Sequence, residues 1–254
     1  MNIRRLKIWV EVIKDFIISF RGSRAEILSS EETVKCVLNQ NKSIIRLGDG
    51  EFNILKGKDI SYQKYSISLE KDIKKILKEY FKNSKECKYL LCVPKFFMNS
   101  NGIKLIKKRV YVSSWSYSRK IFQKEFPQDI VYGDAFLFAK QNKKNYEEIW
   151  KMANKSKCIF IHNNEKYAKD FEKRYKIPTS FIKIEAKNAY EEIEKIRKEI
   201  IQKIEGINKD DIMVIISAGP AGKVLVYDLA NEGILAIDAG HCWDDPLIDE
   251  KVKG

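Results

Sequence analysis

Asp49 and Glu51 stand two residues apart between glycines, in Arg46-Leu47-Gly48-Asp49-Gly50-Glu51-Phe52. Each can give an oxygen to a hard divalent cation, Mg²⁺ or Mn²⁺. Such an ion takes one or two protein carboxylates and fills its shell with phosphate oxygens and water. Gly48 and Gly50 let the backbone turn tightly and approach a ligand. Arg46 carries a rigid fork of donors that suits a phosphate or one of these carboxylates. A plain surface turn is the competing account, because Gly-Asp-Gly is common turn chemistry.

Two further segments carry comparable chemistry. In Ser217-Ala218-Gly219-Pro220-Ala221-Gly222-Lys223 a Gly-rich turn follows an apolar run and opens a helix. A helix start offers unpaired amides and a positive dipole end, which suit a diphosphate. Gly219, Pro220, Gly222 and Lys223 are the candidate contacts, with Lys223 adding a charge in the first turn. The spacing of a Walker motif is absent. A turn that needs glycine for packing is the alternative. The third segment, Asp238-Ala239-Gly240-His241-Cys242-Trp243-Asp244, holds one of only two histidines in the chain. A histidine beside carboxylates serves as a general base or donates to phosphate. Trp243 offers a stacking face. The other histidine, His162, precedes Asn163 and is as readily structural.

Position depends on the elements between these segments. Short apolar runs predict strands at 43–46, 89–93, 158–162, 180–184, 212–217 and 235–238. Helical periodicity predicts helices at 29–39, 66–81, 112–126, 145–153, 165–175, 190–204 and 221–231. Ser29-Ser30-Glu31-Glu32 reads as a cap followed by acids in the first turn. Strands alternating with helices imply an α/β fold: a mostly parallel, Rossmann-like sheet covered on both faces. Ligands of such sheets lie beyond the carboxyl ends of the strands, where all three segments fall. No Pro/Gly-rich linker divides the chain. It therefore reads as an N-terminal helix within 1–28 and a single domain over 29–254.

The stretch Ile44-Ile45-Arg46-Leu47-Gly48-Asp49-Gly50-Glu51-Phe52, with Tyr62-Gln63 following, resembles the GT-D type glycosyltransferases, whose Asp-x-Glu motif Asp49 and Glu51 match. These bacterial proteins were long catalogued as a domain of unknown function in surface-polysaccharide and adhesin-glycosylation loci. Val131-Tyr132-Gly133-Asp134-Ala135-Phe136, Asn163-Asn164-Glu165, Asn188-Ala189-Tyr190 and the block 217–243 extend the resemblance to about 30–245. It departs from the family after Asp134, where an arginine is often found and Phe138-Ala139-Lys140 stand here. The resemblance implies a metal-dependent transferase that moves a sugar from a UDP-sugar donor, with Asp49 and Glu51 at the metal and diphosphate. Asn163 joins Arg46, Gly48, Gly50 and the 219–223 turn as a nucleotide contact. The cation would act as a Lewis acid on the leaving diphosphate. If the anomeric centre inverts, Asp238, His241 and Asp134 are the candidate bases. The acceptor is a hydroxyl of a glycan: a surface polysaccharide, a lipid-linked oligosaccharide or a glycoprotein.

Composition narrows the alternatives. With 44% hydrophobic residues, the 254-residue chain can bury a sizeable core. Its net charge of +13 favours anionic partners. A nucleic-acid-binding role lacks zinc-ligand, helix-turn-helix or aromatic-basic support, so no nucleic acid is expected. A metal-dependent phosphatase or nucleotide-sugar hydrolase is the enzymatic alternative, against which stands the absence of an Asp-x-Asp nucleophile motif. Five cysteines without a CxxC pair imply free thiols in a reducing cytoplasm. No apolar run reaches the roughly 20 residues that span a bilayer. Ile3, Leu6, Val10, Ile13, Ile17 and Phe20 nevertheless recur at helical spacing among Arg4, Arg5, Lys7 and Lys14. Such a helix can lie on the inner face of a membrane through residues 1–20, or dock on the domain or on a second copy in a homo-oligomer.

Overall fold

The computed structural model describes residues 3–152 and 155–243. The chain opens with α1 (Ile3–Ile18), a two-residue strand β1 (Glu26–Ile27) and α2 (Ser30–Gln40). Ser29 caps α2, and the Glu32 side chain reaches back to the Ser29 amide in a capping box. β2 (Ser43–Arg46) leads into a short helix α3 (Asp49–Ile54), then α4 (Ile67–Asn83) and β3 (Tyr89–Val93). Two five-residue helices, α5 (Lys95–Asn99) and α6 (Gly102–Ile106), precede α7 (Arg109–Glu125) and β4 (Val131–Asp134). The second half runs α8 (Lys143–Trp150), β5 (Lys157–His162), α9 (Glu165–Tyr175), β6 (Thr179–Lys183), α10 (Ile193–Ile204), β7 (Ile212–Ile216), α11 (Gly219–Asn231) and β8 (Leu235–Asp238).

Among the described residues the eight strands are all parallel, in the order β1-β4-β3-β2-β8-β7-β5-β6. The expected α/β sheet is present, with β1 and β4 added at one edge. Both escaped the sequence reading for local reasons. β1 has two residues, and β4 contains Gly133 and Asp134, which are poor strand formers. Gly133 is there for packing, since a Cβ would come within 2.4 Å of the Cys92 sulfur.

Successive strand residues face opposite cores. Leu91, Ile161, Val214 and Ala236 pack beneath α4, α7, α10 and α11, whereas Leu90, Phe160, Ile215 and Ile237 pack beneath α2, α8 and α9. Burial on both faces explains why these strands read as continuous apolar runs. Trp243, expected to offer a stacking face, packs instead into the second core, 5.3 Å from the Phe160 ring and 5.7 Å from Trp150. Asp244, expected near His241, lies outside the described residues.

The chain's order and its place in the sheet diverge at one point. β2 comes early and β8 comes last, yet they are neighbours, with Ile44 opposite Ile237. Their carboxyl ends therefore set Arg46 beside Asp238. The connection leaving β2 runs toward β3, while β8 is reached through α11 from the other side. This is the topological switch where open α/β sheets bind ligands.

α1 docks on the domain, but through an unexpected face. Buried Asp15 pairs with Lys120 at 2.6 Å, and Arg119, fully buried in α7, donates to the carbonyls of Phe97 and Ser19. Phe16 packs against the first core. The apolar stripe Leu6, Val10, Ile13 and Ile17 is left exposed.

Candidate active site

A cavity of about 630 Å³ opens where the strands end. Its walls come from the segments after β2, β3, β4, β5, β6, β7 and β8.

The Asp-x-Glu segment is not a loop. Asp49 and Glu51 occupy the first turn of α3, with Gly48 at the cap position. The Glu51 carboxylate accepts from the Gly48 amide at 2.7 Å through Oε2. This is the helix-start device that a Gly-Asp-Gly reading conceals: the acid closes the turn that bears it. Glu51 is 3% exposed, and its other oxygen lies 3.1 Å from the Lys223 ammonium.

Lys223 sits between two carboxylates. Its Nζ is 3.1 Å from Glu51 Oε1 and 3.1 Å from Asp238 Oδ2, and it donates to the Gly219 carbonyl. Burial by itself would lower the ammonium pKa, but the Asp238 and Glu51 charges more than offset it, and the pKa is raised. Arg46 completes the cluster. Its Nε donates to the Asp238 carbonyl at 2.7 Å and its Nη1 to the Ala135 carbonyl at 2.9 Å, while its own amide donates to Asp238 Oδ2 at 3.2 Å. The buried charges of Arg46 and Lys223 are thus balanced by those of Glu51 and Asp238.

Asp49 is outside that balance. It is exposed to the cavity, and among the described residues no ion pair involves it. Its pKa is raised, first because protein displaces water around it and then by the charge of Glu51. A cation would relieve both effects. Among the described residues no three His, Cys, Asp or Glu side chains converge to enclose a metal ion. The fit is therefore to a cation held by Asp49 and completed by substrate phosphate and water, as Mg²⁺ and Mn²⁺ accept. For Glu51 to ligate directly it would have to share its carboxylate with Lys223.

Opposite Asp49 lies the start of α11. Ser217, Ala218 and Gly219 line the cavity, and no side chain caps this helix. The Ser217 hydroxyl is buried without a hydrogen-bond partner. Free amides, a positive dipole end and a spare hydroxyl together suit a phosphate. Gly219 has φ +54°, and a Cβ there would come within 2.8 Å of the Tyr62 ring. Tyr62 bridges the two helix starts, and its phenol is pushed up to about 12, first by burial and then by Glu51.

The other predicted residues divide. Gly48, Asn163 and His241 line the cavity, the His241 ring edge-on to Tyr62 at 6.2 Å. Gly50, Pro220, Gly222 and Asp238 do not reach its wall. Gly222 packs against Ile216 and Asp238 inside α11. Asp238 is wholly buried as the counter-ion of Lys223 and Arg46, so it is not placed to take a proton from an acceptor. Asp134 is also withdrawn. Its carboxylate accepts from the Ser30 hydroxyl and from the Phe136 and Lys95 amides, tying β4 to α2 and α5. Among the three candidate bases only His241 faces the cavity. His162 is buried, with Nδ1 accepting from the Asn164 amide at 3.0 Å.

Sequence reasoning missed the apolar wall. Phe97 and Trp115 stack at 4.3 Å, with Tyr111 and Phe136 beside them. Their helical spacing reads as core, and only the end of the sheet shows that one face is open. Glu185, after β6, is a further lining carboxylate without a motif of its own.

Gly240 gives a direct check of this geometry. It has φ +51°, and a Cβ there would stand 1.8 Å from Arg46 Nη2. Gly240→Ala is expected to displace the guanidinium and cost about 1–3 kcal/mol, read as a lower melting temperature. An unchanged melting temperature would remove Arg46 from its assigned position.

An all-parallel sheet with an acidic helix start and an uncapped helix start facing one cavity defines an α/β protein whose cavity lies at the switch point, where open sheets of this kind bind ligands. The model of the family described as "Glycosyltransferase GT-D fold" matches residues 44–245, and the chain belongs to that family. It is similar to a probable glycosyl transferase, Gly, of Streptococcus gordonii, 22% identical over 227 residues, covering 85% of this chain and 32% of that protein. It is also similar to glycosyltransferase GlyD of Streptococcus pneumoniae serotype 4, 21% identical over 234 residues, covering 85% of this chain and 26% of that protein. The chain thus spans about a third and about a quarter of these relatives. A solved structure of domain of unknown function 1792, described as having a distinct glycosyltransferase fold, superposes with a TM-score of 0.70 at 22% identity, over 90% of this chain and 82% of that one. A glycosyltransferase of the same domain type from Streptococcus sanguinis gives 0.68 at 20% identity, over 86% and 82%. At these identities the structures speak for the fold. Among the described residues no helix is long and apolar enough to cross a membrane.

Proposed function

We propose that the chain transfers a sugar from a UDP-sugar to a hydroxyl of a glycan acceptor, with a divalent cation, Mn²⁺ or Mg²⁺, held at Asp49. The observation that carries this reading is the uncompensated Asp49 carboxylate facing the uncapped start of α11 across one cavity. A bound cation would supply Lewis-acid stabilisation to the departing diphosphate. The amides at 218–219, the Ser217 hydroxyl and Arg46 supply fixed donors to the same oxygens. The Phe97, Tyr111, Trp115 and Phe136 wall offers flat apolar faces to a sugar ring or base. As the acceptor oxygen bonds to the anomeric carbon, the bond to the diphosphate breaks and the hydroxyl proton passes to His241. That assignment follows from position, His241 being the one of the candidates Asp134, Asp238 and His241 that stands at the cavity wall.

Isothermal titration of UDP, with Mn²⁺ and then with EDTA, tests the donor half. Micromolar binding that needs the metal and disappears in Asp49→Ala is the expected result. Metal-independent binding, or none, would overturn the assignment of Asp49. For the base, His241→Gln is expected to lower kcat by roughly 10²–10⁴-fold with little change in UDP affinity. Near-normal kcat would move the role to another group, Glu185 first.

A further inference from the structure

Beside the cavity mouth the surface is apolar and basic at once. Because α1 docks through Asp15, Phe16 and Ser19, its stripe Leu6, Val10, Ile13 and Ile17 faces outward, each residue between 44% and 66% exposed. The start of α6 meets the turn that follows this helix. The Gly102 amide donates to the Phe20 carbonyl at 2.6 Å, and just beyond α6 the Arg109 guanidinium covers the Trp9 ring at 4.4 Å. Ile103 and Ile106 on α6 are 63% and 58% exposed. Val110, at the start of α7, is 59% exposed and forms part of the cavity wall. The aliphatic side chains thus extend from the N-terminal helix to the edge of the active site.

Cations accompany them. Lys104, Lys107, Lys108 and Arg109 alternate with these residues, Lys7 and Lys14 flank the stripe on α1, and no Asp or Glu occurs between Lys95 and Lys124. An anionic bilayer matches both features: aliphatic side chains enter the acyl boundary while lysines meet headgroup phosphates. A second copy fits less well, because a two-fold contact would set this basic patch against itself. A nucleic acid would pair the cations and leave the aliphatics in water.

We infer that α1, α6 and the start of α7 form one docking surface for an anionic lipid bilayer, which holds the cavity mouth against the membrane. The acceptor is then a glycan carried on a lipid anchor in that membrane; this half of the inference rests on the sugar-transfer reading.

The test uses the full chain and vesicles of phosphatidylglycerol with phosphatidylcholine, against vesicles of phosphatidylcholine alone, in a flotation assay. Wild-type protein is expected to float with the anionic vesicles and to be released by salt. Ile17→Glu with Ile106→Glu, both at exposed positions, is expected to cut the bound fraction at least about tenfold. The variant should keep wild-type UDP binding and melting temperature. Failure to float with anionic vesicles at low salt overturns the proposal, as does undiminished binding by the variant. A wild-type dimer that the same substitutions disperse, without vesicle binding, assigns the surface to a second copy instead. UDP titration of the same preparations separates the two readings: lost nucleotide binding in the wild type condemns the sugar-transfer site, whatever the vesicles show.

Discussion

Asp49→Asn is expected to yield a folded protein whose proposed sugar transfer falls by roughly 10²–10³-fold or more. The amide keeps the shape of the side chain and removes the charge that faces the cavity. The same substitution is expected to leave the melting temperature of the unliganded protein unchanged or raised. The reason is the direction of the Asp49 pKa, which is above the ordinary value because of lost water and the nearby Glu51 charge. A carboxyl whose pKa is raised in the folded state holds its proton more tightly there. Its contribution therefore favours folding at low pH and is lost as pH rises through the folded value. At neutral pH the ionised group is destabilising, an effect that a bound cation would relieve and that asparagine lacks. On the proposed reading, metal-dependent UDP binding weakens on acidification, starting at a higher pH than for an ordinary aspartate. Calorimetry with and without Mn²⁺ and thermal melts of the two proteins check this together. An inactive variant that has also lost stability would mean that Asp49 is a structural residue.

Lys223→Met shows the opposite pattern, with stability as the main loss. The methionine fills the space but leaves Glu51 and Asp238 buried without their shared cation. Breaking a buried pair in this way costs about 3–5 kcal/mol, or roughly 10 °C in melting temperature for a domain of this size. The Lys223 pKa is raised, so its stabilising charge is present through the neutral range and lost only as pH rises through that folded value. Adding Asp238→Asn to Lys223→Met should restore part of the loss, because the stranded negative charge goes with it. That non-additivity is the signature of direct contact. Strict additivity of the two substitutions would show that the Lys223–Asp238 ion pair at 3.1 Å carries no coupling.

The contrast between these residues marks the boundary between sequence and structure. Apolar runs such as Ile212–Ile216 and helical stripes such as that of Ile67–Asn83 determine their own elements, since the pattern that buries a strand or one helix face is written locally. The order of those elements implies the parallel sheet, and the sheet implies chemistry at its carboxyl ends. By itself, then, the sequence specified the α/β class, the three segments that meet at the cavity and the acidic pair at the first of them.

Only the tertiary structure decided what each residue does there. Lys223 reads as a phosphate donor because a Gly-rich turn precedes it. The adjacency of β2 and β8, nearly 200 residues apart in the chain, places two carboxylates around it. Asp238 becomes a counter-ion for the same reason, and His241 alone of the candidate bases reaches the cavity. β4 was hidden because Gly133 and Asp134 answer to Cys92 and to Ser30, contacts that no local pattern records. The stripe on α1 was legible as apolar, but not which way it points. Asp15, Ser19 and Arg119 settle that by satisfying buried polar groups on the other face, which leaves Leu6, Val10, Ile13 and Ile17 outside. Periodicity reports which side chains share a face; which face is buried depends on partners that only folding brings together.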